Sequence, residues 1–193
     1  MLEQLKEHNP FQLLVATLLS SRTKDSTTIP IVKKMFEKIG SPGNFLKIPQ
    51  QELEKMLYGI GFYKVKAGNI HKLSRLLLEK YQGAVPPTFE ELISLPGVGR
   101  KTANCVLNYV FHKPAIAVDI HVHRISNRLG WVKTKNPDET EDSLKLLLPK
   151  EKWMEINSLL VDHGQRTCLP IKPRCSNCII AEHCPSKNVS HNL

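Results

Sequence analysis

The stretch 93-ISLPGVGRKTANCV-106 sets Gly97 and Gly99 on either side of one valine and follows them at once with Arg100 and Lys101. Apolar residues recur at helical spacing on both sides of it. Two glycines around an aliphatic residue permit a tight turn between antiparallel helices, with positive φ at no steric cost. The stretch therefore reads as helix, hairpin turn, helix. The two cations are placed against the field, because a helix start carries partial positive charge. Either an anion docks on the unpaired N–H groups of that first turn, or one lysine is set there to lose its proton. A second stretch, 58-YGIGFYKVKA-67, repeats the pattern of two glycines and a basic helix start. A short helix connection would also explain either copy alone.

Outward from this hairpin the apolar period stays helical, and no run alternates as a half-buried strand would. Start and stop signals are frequent. Pro10 opens a helix, Asp25 caps one through about Ile39, and Pro49 opens another. A helix is expected over roughly 64–81, ending at Gly83. Thr88 and Glu91 form a capping box. Asp119 caps a helix that Gly130 stops, Asn136-Pro137 starts the next, and a last one spans about 151–166. The expectation is an all-α chain of about ten short helices.

Charge narrows the partner. Lysine and arginine number 27 against 18 acidic residues, a formal net charge of +9 over 193 residues. Such an excess points to nucleic acid first and a membrane surface second. The apolar run "FQLLVATLL" is too short to span a bilayer, and "MLEQLKEH" ahead of it is not the basic start of a signal peptide. A cytoplasmic protein is expected. Five cysteines in that compartment suggest thiols or metal ligands, not disulfides. Four of them, Cys168, Cys175, Cys178 and Cys184, follow the spacing C-x6-C-x2-C-x5-C. Four thiolates on so short a segment suit one zinc ion or one [4Fe–4S] cluster, and the wide outer steps lean toward the larger object. Lys172 and Arg174, in the loop between the first two, would be held outward toward a phosphate backbone. Cys105, mid-helix among apolar residues, reads as core.

"LPGVGRKTA", "AIAVDIHVHR" and the four-cysteine pattern, in this order, resemble the endonuclease III family of the helix-hairpin-helix/Gly-Pro-Asp DNA glycosylase superfamily. The similarity runs from about Pro10 to Cys184. It implies a six-helix barrel domain over 3–113, with the helix-hairpin-helix at about 89–111, and an iron–sulfur cluster domain over 114–193. It also implies excision of oxidised pyrimidines from duplex DNA, strand cleavage beside the lesion, and a monomer associated with the nucleoid. Matched by motif, Lys101 is the nucleophile, Asp119 the catalytic aspartate, the four cysteines the [4Fe–4S] ligands, and Gly97 and Gly99 the hairpin. Arg100 is expected to face phosphate. Phe62 matches an apolar position that wedges into the duplex. Arg22 stands where many members have a glutamine that enters the gap left by the flipped base, which leaves the opposite-base preference open. The family's further helix ahead of Pro10 is not expected here, where nine residues precede that proline.

The chemistry explains why these residue types are needed. The C1′–N bond lies inside the base stack, so the nucleotide must be turned out, at a cost of a few kcal/mol, and the hole filled. Phe62 and Arg22, on tight turns, can fill it. Lys101 must attack as a neutral amine, a form that an ordinary lysine of pKa about 10.4 adopts to only about 0.04% at pH 7. The helix start, Arg100 and burial all act to raise that fraction. Asp119 can cap its helix and stabilise a cationic sugar with the same carboxylate. No chemistry is assigned to His121 or His123. Arg124 and Arg128 share a helix face and read as solvated or salt-bridged. Two other functions fit parts of the pattern: a monofunctional mismatch glycosylase, whose members generally lack the lysine, and a DNA-binding module without activity.

Overall fold

A computed structural model describes residues 7–186 of the 193. Most of the lead ahead of Pro10, and the outer limits of the two expected domains, lie outside the described residues. Among those described there are ten α-helices and no strand. The chain forms two compact units, Met1–His112 and Lys113–Leu193.

In the first unit α1 (Pro10–Ser20) is the central rod. Every residue from Phe11 to Leu19 is buried, as expected of a helix apolar all round. Its start is fixed locally: the Asn9 side chain accepts from Gln12 N at 2.9 Å, and Gln12 answers by accepting from Asn9 N at 3.1 Å. Around it pack α2 (Asp25–Phe36), α5 (Tyr63–Tyr81) and α7 (Arg100–Phe111). The short helices α3 (Pro42–Leu46) and α4 (Gln50–Met56) cover α5, and α6 (Phe89–Ile93) covers α7. Two helix readings are corrected. Lys24, not Asp25, is the N-cap of α2, and Asp25 sits in the first turn, where its charge still suits the dipole. The helix ends at Phe36, not Ile39, and carries Pro30 within it on an exposed face.

In the second unit α8 (Ile120–Arg128) packs on α9 (Pro137–Leu147) and α10 (Trp153–Arg166). Ile116, Val118, Val122, Ile125, Leu144, Ile156 and Leu160 form the core. Asn157 Nδ2 donates to Ala117 O at 2.8 Å, tying the extended segment 115–118 to α10. Gly164 lets α10 approach α8 closely: a Cβ there would lie 2.5 Å from His121 Nδ1. Short 3-10 turns at Cys175–Asn177 and Ala181–His183 carry the cysteine segment.

Candidate active site

The hairpin of the first unit leads directly into Lys101. Gly97 has φ +81°, and a Cβ on it would come within 2.8 Å of Asn69 Nδ2 on α5. Glycine is needed there twice over, for conformation and for space. Gly99 is different: its φ is −101° and a Cβ would meet nothing within 4 Å. It caps α7 without a side-chain hydrogen bond to the N–H groups behind it. Val98 between them is buried and anchors the turn. Lys101 stands half-buried in the first turn of α7, and the Arg100 guanidinium lies over the Phe89 ring at 5.7 Å. Cys105, further along the same helix, is buried as expected.

Arg22 and Phe62, forty residues apart in the chain, come together. The Arg22 guanidinium carbon lies 5.7 Å from the centre of the Phe62 ring. Phe62 is 61% exposed, so it is not part of the core. Both residues take left-handed backbone, φ 54° and 58°, unusual for side chains of this size. Their turns touch: Gly61 N donates to Thr23 Oγ1 at 3.0 Å, and a Cβ on Gly61 would sit 3.0 Å from Arg22 O.

In the second unit Asp119 is the N-cap of α8, accepting from His121 N at 2.8 Å and Val122 N at 3.0 Å. The carboxylate is thus fixed in direction while remaining half-exposed. His121 Nδ1 accepts from Arg124 Nη2 at 3.1 Å, since a guanidinium can only donate. Burial, assisted by the Arg124 charge, holds this imidazole below the usual histidine range against the pull of Asp119. His123 Nδ1 pairs with Thr140 Oγ1 at 2.7 Å. Both histidines are structural partners.

Arg124 and Arg128 depart most from the sequence reading. They are 8% and 3% exposed, so they are not solvated, and among the described residues their hydrogen bonds run to main-chain carbonyls, to His121 and to the Cys168 sulfur. Arg124 Nη2 donates to Cys168 O at 2.9 Å. Arg128 donates to Leu169 O at 2.7 Å and Pro170 O at 2.8 Å, and its Nη1 lies 3.4 Å from Cys168 Sγ. The pair grips the chain at the first cysteine. All four cysteines of the pattern are free thiols lining one recess, with Ile125, Arg128, Leu129 and His163. Cys178 Sγ lies 3.8 Å from His163 Nε2, and Cys184 Sγ lies 3.6 Å from Arg128 O. Among the described residues no three His, Cys, Asp or Glu side chains are grouped to hold a single metal ion. Lys172, at φ 51°, and Arg174 are exposed on the loop, and Arg174 also lines the recess.

Residues 15–150 match the HhH-GPD superfamily of base excision DNA repair proteins. The chain is 51% identical over 179 residues to the endonuclease III of Thermotoga maritima, spanning 93% of this chain and 84% of that one. The chain belongs to the endonuclease III family. Its likeness to the Escherichia coli endonuclease III is 39% over 184 residues, covering 95% of this chain and 87% of the other. The fold matches a trapped endonuclease III–DNA covalent intermediate with a TM-score of 0.90 at 40% identity, over 93% of this chain and 85% of that one. A thermostable thymine-DNA glycosylase matches with 0.85 at 28% identity, with the same coverage. As a member of this family the chain is a bifunctional DNA glycosylase and abasic-site lyase of base excision repair. The fold is that of the helix-hairpin-helix glycosylases, as expected. Among the described residues no helix is long and apolar enough to cross a membrane.

Proposed function

We propose that the chain removes oxidised pyrimidines from duplex DNA, with Lys101 as nucleophile and Asp119 as the carboxylate that steadies the sugar. The observation carrying this reading is the setting of Lys101. It stands half-buried in the first turn of α7, directly after a glycine cap on which a Cβ would meet nothing within 4 Å.

The roles follow from the residues' chemistry. The Lys101 amine attacks C1′ as the C1′–N bond breaks, and the leaving base keeps the electron pair and takes a proton. Asp119, its carboxylate oriented by two backbone N–H groups, favours the cationic sugar through which this exchange passes. The lysine adduct opens to an imine, which acidifies C2′. Loss of that proton expels the 3′ phosphate and leaves the strand cut. Gly97, Gly99 and Arg100 would seat the phosphate backbone at the hairpin, and Lys172 and Arg174 a second stretch of it. Arg22 and Phe62 would fill the gap left by the everted nucleotide.

The first unit is assigned as the six-helix barrel domain, 3–113, and the second as the cluster domain, 114–193. Four thiols around one recess fit a [4Fe–4S] cluster better than zinc, whose four sulfurs must crowd one ion at about 2.3 Å each. Two buried guanidiniums beside the recess also suit an anionic, thiolate-bound group. Bound there by Cys168, Cys175, Cys178 and Cys184, the cluster would cross-link the segment. The protein is assigned as a cytoplasmic, nucleoid-associated monomer.

The test is borohydride trapping on duplexes bearing single oxidised pyrimidines. The wild-type protein should be captured covalently and Lys101→Gln should not. Capture of the variant at wild-type yield would remove Lys101 from the role. The purified protein should be yellow-brown, with broad absorbance near ~400 nm. A colourless protein with stoichiometric zinc would exclude iron–sulfur.

A further inference from the structure

Lys66 belongs to none of the roles above, yet its setting is unusual. Its side chain is 6% exposed, and the ammonium donates to Leu19 O at 2.8 Å and Ser21 O at 2.6 Å. These are carbonyls at the C-terminal end of α1, which lack helical donors and favour a cation. Burial lowers the lysine to about 8, still mostly charged at neutral pH. A hydrophobic residue of the same length would fill this space without desolvating a charge.

What the lysine joins explains its presence. Ser21 immediately precedes Arg22. Lys66 lies one turn into α5, where its own N–H bonds to Phe62 O at 3.0 Å. The side chain therefore ties the root of one exposed prong to the helical turn that begins at the other. Thr23 Oγ1, accepting from Gly61 N, makes a second tie on the solvent side. The Arg22 guanidinium over the Phe62 ring makes a third. Left-handed backbone at two non-glycine residues is strained and persists only where the surroundings enforce it. Here the surroundings are these ties.

We propose that Lys66 is a positioning residue for gap filling: it locks the Arg22 and Phe62 turns into one rigid two-pronged element that enters the duplex as a unit. The inference rests on the reading that Arg22 and Phe62 fill the gap left by an everted nucleotide. It differs from a role in stability alone, because it predicts a defect confined to substrates that have a gap to fill.

The experiment compares strand cleavage at one abasic site in two settings: opposite 2-aminopurine in a duplex, and in the same strand unpaired. The 2-aminopurine fluorescence reports unstacking of the opposite base when the prongs enter. Lys66→Met removes both hydrogen bonds while keeping the volume, Lys66→Arg restores two donors, and the near-isosteric Thr23→Val removes the outer tie. Lys66→Met and Thr23→Val should lose duplex cleavage by about 10- to 100-fold, as misplaced groups do, together with the fluorescence rise. Cleavage of the unpaired strand should stay within about twofold, and Lys66→Arg should recover both duplex signals. Should Lys66→Met melt below the assay temperature, Thr23→Val decides. Equal losses on both substrates, or an unaltered duplex rate and fluorescence, would overturn the proposal. Wild-type cleavage of the unpaired strand reports the enzymatic reading separately, since no gap is involved.

Discussion

Gly164→Ala is expected to destabilise the protein although it improves helix propensity. Alanine in a helix interior is favoured over glycine by about 1 kcal/mol. At this position the new methyl would stand 2.5 Å from His121 Nδ1 and 3.0 Å from both Arg124 Nη2 and Ile125 Cδ1. None of these can swing away freely. The imidazole accepts from Arg124, and the guanidinium is held by Cys168 O. Forcing the helices apart costs about 1–3 kcal/mol for overpacking, and loosening the Arg124 bonds adds about 1 kcal/mol. The balance is a net loss of about 1–3 kcal/mol, or roughly 2–10 °C in melting temperature for a chain of this size. Gly68→Ala, in α5, supplies the opposite case: its methyl would meet only Gln50 Nε2 at 3.9 Å. It should raise the melting temperature by a few degrees. Thermal melts of both variants, followed by far-ultraviolet circular dichroism, test the argument. A Gly164→Ala protein melting at or above the wild type would refute the packing reasoning.

Two further outcomes separate structure from chemistry. Asp119→Asn should retain its helix start, because asparagine caps nearly as well as aspartate, and should melt within about 1 kcal/mol of wild type; the single-turnover rate should nevertheless fall by about 10²–10³, and a near-normal rate would leave the carboxylate a cap only. Arg22 can only donate, so it matches the O6 and N7 acceptors of a guanine opposite the lesion and conflicts with the N6 amino group of adenine. Arg22→Gln should shift the guanine-to-adenine ratio of cleavage rates toward adenine by about fivefold or more, the scale of one bidentate contact; an unchanged ratio would show that Arg22 does not read that base.

The helix starts were legible where one local side chain sets them. Pro10, Thr88, Asp119 and Asn136 act within three residues of their own position, and each stands at or beside the start it announced. The conformation of Gly97 was legible for the same reason. The buried cations were not, because their partners are main-chain carbonyls far along the chain. Lys66 reaches back 47 and 45 residues, and Arg128 reaches forward 41 and 42. A side-chain pattern carries no trace of where backbone acceptors will be brought. For Lys66 one signal was present: it falls in register with Ile70, Leu73 and Leu77, all on the buried face of α5. A lysine in an apolar stripe requires an acceptor to be found for it. The left-handed turns at Arg22 and Phe62 left no such mark, since neither residue type favours that conformation.

The grip of Arg124 and Arg128 on residues 168–170 makes the cysteine segment unequal along its length. Cys168 is moored to the scaffold through peptide groups that need no inorganic partner. Cys175, Cys178 and Cys184 ride on turns closed mainly by their own neighbours. If the proposed cluster assembles there, the site would offer one prearranged thiol and three that settle only as iron and sulfide arrive, and loading would begin at Cys168. Amide hydrogen exchange on protein stripped of the proposed cluster should then find the Cys168 amide, bonded to His163 O, still slow and the amides of 175–184 fast; uniform exchange across the segment would contradict an anchored starting point.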